Sequence, residues 1–320
     1  MLPGCEVRGS RVLVTGAGGF VGRHLVQRLL DEGADVHVIA RDASRSSETL
    51  PFSSSVHVHA VDLLSTDSLR GVVQEIGATH VFHLAGRVDL DRSLEVGQAC
   101  VRENIAATLN FLHALRGSPV QTLIYTSTTE VYGRNPRPFR EDQMVDPPSA
   151  YAVSKIAAEH LCRIDAELHG YRLCILRLAT GYGPGQRAER LVPATILACL
   201  RGTPMQLHSP DHQRDFTYVA DLVDGIIRAA ARPLSAFEVI NLGGEVTVSV
   251  AEIVQHIMRI AGAVIPMEAS SRVRANEASC WSTNAERARR LLDWAPVTPL
   301  DDGLTRTFRW YADSAMAARL

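Results

Sequence analysis

The stretch Thr15-Gly16-Ala17-Gly18-Gly19-Phe20-Val21-Gly22 decides how this chain folds. It follows the apolar run RVLVT (Arg11 to Thr15) and opens a segment in which Val21, Leu25, Val26, Leu29 and Leu30 recur at spacings of three and four. The run has the length of a buried strand, and the spacing has the period of a helix with one apolar face. Gly16, Gly19 and Gly22 therefore stand at a strand-to-helix turn. The first glycine permits the tight turn, the second lets backbone approach a pyrophosphate, and the third lets helix and strand pack closely. The helix N-terminus adds unpaired amides and a partial positive charge. Together with Phe20 and Val21 of the same turn, this is the cradle of a dinucleotide cofactor.

Further apolar runs follow: DVHVIA (Asp35 to Ala40), VHVHAVD (Val56 to Asp62), HVFHLA (His80 to Ala85) and VQTLIYTS (Val120 to Ser127), separated by amphipathic stretches. This alternation predicts an α/β fold with a Rossmann-type, doubly wound parallel sheet. Ligands in such sheets lie beyond the carboxyl ends of the strands, so functional residues are expected just after these runs. After about residue 180 the pattern breaks into turn-rich segments (YGPGQ, RGTP, HSPDHQ, INLGGE). The expected division is a cofactor domain over residues 1–180 and a smaller C-terminal substrate-binding lobe over 181–320. Some later elements, such as Asp221 to Ala231, are expected to pack back on the first domain.

Composition narrows the partners. A net charge of −2 without a dense Lys/Arg run gives no electrostatic footprint for nucleic acid or a membrane surface. No apolar stretch reaches the roughly 18 residues that span a bilayer. The six cysteines contain no CxxC pair, which suggests neither a zinc cluster nor a disulfide framework and fits a cytoplasmic protein. Leu2 to Cys5 reads as a disordered leader and not as a lipoprotein site, because no apolar signal segment precedes it.

The choice of dinucleotide turns on the end of the second strand. An acidic residue about 20 positions after the glycine turn would hold ribose hydroxyls. Here Ala40 and Arg41 occupy that place, and a guanidinium can pair with the 2′-phosphate of NADP, helped by Ser44 and Arg45. Alternatively Arg41 is a solvated loop charge and Asp42 does the acidic job; NADP is favoured and NAD remains open. Asp62, with Leu63 after it, is placed to accept a hydrogen bond from the adenine amine. Leu84, Ala85 and Gly86 end the fourth strand with small residues across which the dinucleotide can pass. His57 and His59 share a strand face, but without a third ligand nearby they read as packing or surface residues, and no metal site is expected.

The chemistry is carried by Tyr151-Ala-Val-Ser-Lys155, a phenol and an ammonium four residues apart on one helix face. Lys155 can lower the tyrosine pKa and hold a ribose hydroxyl, leaving Tyr151 to move a proton while hydride passes to or from a nicotinamide. Thr128, where the fifth strand runs into TSTTEVYG, can hydrogen-bond the reacting oxygen.

In this order TGxxGxxG, HLAG, STTEVYG, YAVSK, YGPGQ and RDFTYVADLV resemble the nucleotide-sugar epimerase/dehydratase branch of the extended short-chain dehydrogenase/reductases, over roughly residues 10 to 310. The resemblance implies a nucleotide-sugar substrate, a C-terminal lobe that binds it, and a homodimer formed through the helix carrying Tyr151. It makes Thr128, Tyr151 and Lys155 the catalytic trio. Glu130 falls where sugar dehydratases keep a glutamate able to take a proton from carbon 5; otherwise it is a loop carboxylate that organises hydrogen bonds. Thr129 stands where some dehydratases carry Asp, and Thr180 where many relatives carry Asn before the YGPG turn; both are expected at the substrate. Arg214 matches the arginine that grips the diphosphate, with Arg274 as a second clamp, or either is a surface ion-pair partner. The implied reaction is 4-epimerisation or 4,6-dehydration of an NDP-hexose through a 4-keto intermediate. Rival readings are an NADPH-dependent 4-ketohexose reductase and a non-enzymatic NADP-binding regulator, the latter disfavoured because Tyr151 and Lys155 are both kept.

Overall fold

In the computed structural model, residues 7–41, 55–89, 91, 93–269 and 278–317 are described. The N-terminal Leu2 to Cys5 segment, Asp42, Ser44, Arg45 and Arg274 lie outside them. Strands β1 (Arg11–Thr15), β2 (Asp35–Ala40), β3 (His57–Ala60), β4 (His80–His83), β5 (Thr122–Thr128) and β6 (Arg172–Leu178) form in chain order. They are followed by β7 (Thr180–Tyr182), β8 (Met205–Leu207), β9 (Gln213–Arg214), β10 (Phe216–Tyr218) and β11 (Phe237–Leu242). One seven-stranded sheet has the order β11-β6-β5-β4-β1-β2-β3, and every pair in it is parallel. The order reverses between β1 and β4, which opens a crevice beyond their carboxyl ends.

Burial on both faces explains the continuous apolar runs. Along β1 the side chains alternate: Val12 and Val14 join one core cluster and Leu13 the other. The first cluster is closed by the helices α1 (Phe20–Asp31), through Leu25, Val26 and Leu29, and Val219–Ala231, through Leu222, Ile226 and Ile227. The second is closed by Thr66–Ile76, Ala107–Leu115 and Ala150–His169 through Leu69, Val73, Phe111, Ala158 and Cys162. A third cluster, with Val192, Ile196, Ile253, Ile257 and Leu304, is the core of a smaller lobe built from later parts of the chain.

Two strands of the sheet were not expected. Arg172–Leu178 pairs with β5, and Phe237–Leu242 pairs along its whole length with β6. INLGGE is thus a turn only after Leu242, and its INL belongs to the seven-stranded sheet. The helix Val219–Ala231 packs against α1. No described helix is long and apolar enough to cross a membrane.

Candidate active site

The glycine turn is held from two sides. Gly16 adopts φ +76°, and a Cβ on it would lie 2.6 Å from the Ala85 nitrogen and 2.7 Å from the Leu84 carbonyl carbon. A Cβ on Gly22 would sit 2.1 Å from the Gly16 oxygen. Only backbone without side chains fits between α1 and the end of β4, so peptide groups face the crevice directly. Thr15 fixes the floor: its hydroxyl accepts from the Ala85 amide at 3.2 Å and lies 2.6 Å from Nδ1 of His83. His83 Nε2 is 2.9 Å from the Thr108 hydroxyl, and burial, followed by the Lys155 charge, pushes this imidazole down to about 3. It is a neutral strut at working pH.

Asn104 locks the next segment. It sits in a π-helical turn, Val101–Ala106, of the kind often found at functional sites. Its Oδ1 accepts from the Arg87 amide at 2.6 Å, while Nδ2 donates to the Arg87 carbonyl at 3.1 Å and to the Ser154 hydroxyl at 2.8 Å. A Cβ on Gly86 would meet Asn104 Oδ1 at 2.9 Å and lie 3.8 Å from Lys155 Nζ. One side chain thereby ties the segment after β4 to the helix that presents Tyr151 and Lys155.

That helix, Ala150–His169, is capped by Ser149, whose hydroxyl accepts from the Ala152 amide at 3.0 Å and donates to Glu130 Oε1 at 2.6 Å. Four residues further along the helix from Lys155, Glu159 holds Arg177 of β6 by two bonds, 3.1 and 2.7 Å. Arg177 donates to the Tyr132 hydroxyl at 2.9 Å, and Tyr132 donates to Asn241 Oδ1 at 2.8 Å. The helix is therefore clamped to the sheet under the site by a buried ion pair.

Lys155 is buried, with Nζ 4.3 Å from the centre of the Tyr125 ring, and burial lowers it to about 8 against the pull of Cys162 and Glu159. Tyr151 is raised above its ordinary value by burial first and by the Glu130 charge second, while a bond from the Thr128 hydroxyl and the Arg190 charge pull it down. Thr128 and Arg190 are thus groups that favour phenolate here. Thr128 also accepts from the Glu130 amide at 3.2 Å.

A cavity of about 1170 Å³ runs from the glycine turn past Tyr151 into the smaller lobe. A single small-molecule site takes about 300–1,000 Å³, so this one has room for a dinucleotide and a second ligand. Gly16, Gly19, Phe20, Val21, Gly22, Arg41, Leu84 and Gly86 line one end. Thr128, Thr129, Glu130, Tyr151, Lys155, Thr180 and Arg214 line the rest. Arg214 lies over the Trp281 ring at 4.6 Å and donates to the Gln213 carbonyl at 2.7 Å. Ser127 Oγ and Trp281 Nε1 are buried with no protein hydrogen-bond partner among the described residues, and both residues line the cavity.

Asp62, Leu63 and Ala85 are off this wall. Asp62 turns back to accept from the Leu64 amide at 3.0 Å, Leu63 is buried, and Ala85 backs the Gly16 turn. Residues the sequence reading missed include Asn104, Ser149 and Arg190. Ser149 had a signal, a serine after two prolines at the start of a helical pattern, which marks an N-cap. Arg190 and Asn104 had none, because their roles depend on partners distant in the chain.

Residues 12–243 match the NAD dependent epimerase/dehydratase family. The chain belongs to that family. This epimerase/dehydratase is 31% identical over 309 residues to a UDP-glucuronate 4-epimerase of Thermodesulfobacterium geofontis, covering 93% of this chain and 95% of the relative. It is also 31% identical over 314 residues to a dTDP-glucose 4,6-dehydratase of Streptomyces griseus, with 94% of each covered. Among solved structures, a UDP-glucuronic acid 4-epimerase from Bacillus cereus in complex with UDP-glucuronic acid and NAD superposes with a TM-score of 0.87. That pair is 29% identical and covers 95% of this chain and 99% of the other. This epimerase/dehydratase is accordingly an NAD(P)-dependent enzyme that modifies a nucleotide sugar through a 4-keto intermediate.

Proposed function

We propose that the enzyme is a nucleotide-sugar 4-epimerase that keeps its dinucleotide through the cycle. The observation that carries this reading is the convergence of Thr128, Tyr151 and Lys155 on one cavity with the glycine turn. The Gly16, Gly19 and Gly22 backbone would hold the phosphates, Lys155 a ribose hydroxyl and Arg41 the adenosine end. The dinucleotide, when bound, supplies the hydride acceptor and donor. Tyr151, as phenolate, takes the proton of the 4-hydroxyl while the carbon loses hydride, and Thr128 holds the same oxygen. After the sugar turns, Tyr151 returns the proton as hydride reaches the other face. Arg214 would grip the diphosphate, with Thr129 and Thr180 on the sugar.

Glu130 separates epimerisation from elimination. Its carboxylate is 2% exposed and already engaged by the Ser149 hydroxyl, which favours an organising role over a free base at carbon 5. Arg41, exposed at the cavity rim, supports NADP over the NAD held by the solved neighbours. Val153, Ile164 and Leu168 are exposed on the helix Ala150–His169 and support a homodimer through it; the cysteine pattern supports a cytoplasmic location. The test is incubation with UDP-, GDP-, dTDP- and CDP-sugars, with and without added NADPH, and identification of products and of nucleotide released on denaturation. Unchanged product mass without added cofactor is expected; loss of water or stoichiometric NADPH consumption rejects the epimerase. Tyr151→Phe should lower kcat by roughly 10²- to 10⁴-fold while cofactor binding persists. Substantial remaining turnover removes Tyr151 from the mechanism.

A further inference from the structure

A polar cluster lies at the far end of the sheet from the cavity. The register pairs His37 with His57 and Ile39 with His59, so Asp35, His37, His57 and His59 share one face of β2 and β3. Asp35 and His57 are the first residues of their strands, and the glycine turn opens at the opposite, carboxyl end. His37 and His59 were unconnected in the sequence, and the ligand that seemed missing beside His57 is supplied from the neighbouring strand.

We propose that Asp35, His37 and His57 form a binding site for a divalent transition metal of the zinc type. Asp35 Oδ1 is 3.4 Å from Nε2 of His37 and 3.4 Å from Nε2 of His57, and the three atoms lie within 4.8 Å of one another. Tetrahedral zinc with bonds of about 2.0–2.1 Å places its ligands about 3.3–3.4 Å apart, so two of the three spacings already fit. His57 is 65% exposed at its side chain and can rotate to close the third.

The surroundings are those of a ligand set. Arg11 donates to Oδ2 of Asp35 at 2.9 Å, which leaves Oδ1 turned to the imidazoles. His37 Nδ1 is 3.0 Å from His59 Nε2, the second contact that fixes the tautomer of a coordinating histidine. His37 Nε2 is buried and, among the described residues, is met only at ion-pair distance, by Asp35 Oδ1 at 3.4 Å, outside good hydrogen-bond geometry. A cation between them would satisfy both, with water as the fourth ligand. Bound there, it would strap β3 to β2 at the sheet edge and leave the active site untouched.

The experiment uses the untagged full chain, freed of metal with chelator and titrated with zinc chloride by calorimetry. The site predicts one zinc per chain, with affinity at least about tenfold weaker in His57→Gln and in His37→Gln, since each removes a ligand. At a hundredfold excess over Kd, zinc should raise Tm by roughly 4 °C in the parent and not in His57→Gln. His57→Gln should keep full epimerase activity, which separates this site from the catalytic one. No stoichiometric zinc, or zinc bound equally by parent and both variants, overturns the assignment.

Discussion

Gly22→Ala tests the geometry on which the cofactor assignment stands. The new methyl carbon would meet the Gly16 oxygen at 2.1 Å and the Ala17 Cα at 2.9 Å. Carbon prefers about 3.5–4.0 Å from its neighbours, so the turn and α1 must part by about 1 Å or more. The turn has little room to retreat, because even a Cβ on Gly16 would lie under 3 Å from the Leu84–Ala85 peptide. The start of α1 must move instead, carrying its free amides away from the phosphates. Overpacking costs about 1–3 kcal/mol, and the better helix propensity of alanine returns up to about 1 kcal/mol. A net loss of about 1–2 kcal/mol in chemical denaturation is expected. Cofactor suffers more: one charge-assisted hydrogen bond is worth about 1.5–3 kcal/mol, so its loss weakens binding by roughly 10- to 100-fold. The assay is titration of apoprotein with dinucleotide, beside the amount retained on purification. Gly71→Ala is the control: Gly71 lies in the helix Thr66–Ile76 with nothing within 4 Å of its Cβ position. It should gain about 0.5–1 kcal/mol and leave affinity alone. A Gly22→Ala protein whose Kd stays within about twofold of the parent, well under the tenfold that 1.4 kcal/mol represents, would refute the reasoning.

Two further outcomes concern the frame around the site. Arg177→Met strands the Glu159 carboxylate, only 7% exposed, and should cost about 3–5 kcal/mol in urea denaturation; Arg177→Met with Glu159→Leu should recover most of it. Equal losses in the single and double variants would show that the charge itself is unimportant. Asp215 is buried, and that burial pushes its carboxyl up to about 7 against the Thr283 hydroxyl and the Arg214 charge. A carboxyl raised on folding keeps its proton in the native state. Its contribution is fully present below the unfolded value near 4 and is lost as pH rises toward 7, on the order of 4 kcal/mol in all. Asp215→Asn should flatten the fall in stability between pH 4 and pH 7; an unchanged slope would place the ionisation elsewhere.

The first five strands and the glycine turn were legible because their signals are local: apolar runs of strand length, and glycines between a strand and a helix. Phe237–Leu242 was not, since its neighbour β6 lies far back in the chain and only β6 makes it a sheet strand. Motif order was enough to bring out Thr128, Tyr151 and Lys155, which line one cavity, but not the groups that act on Tyr151. Arg190 acts on it by charge from the start of Leu191–Arg201, and Glu130 acts by charge while held by Ser149, 19 residues away. Asp62 follows its strand as its position implies, and one carboxylate oxygen accepts from the Leu64 amide in the next turn, a local contact that position alone does not give. Register was likewise invisible, and register alone sets His37 against His57.

The late strand has a consequence for synthesis and for dissection. While residues 179–236 leave the ribosome, β6 is an open parallel edge whose Leu173 and Ile175 belong to a core not yet closed, the kind of surface that recruits other nascent chains. A fragment ending at residue 180 would keep that edge for good and would also lack the Val219–Ala231 helix that covers the other face. Anyone dividing this enzyme into separately expressed halves should therefore cut beyond residue 243, where the sheet has received its last member.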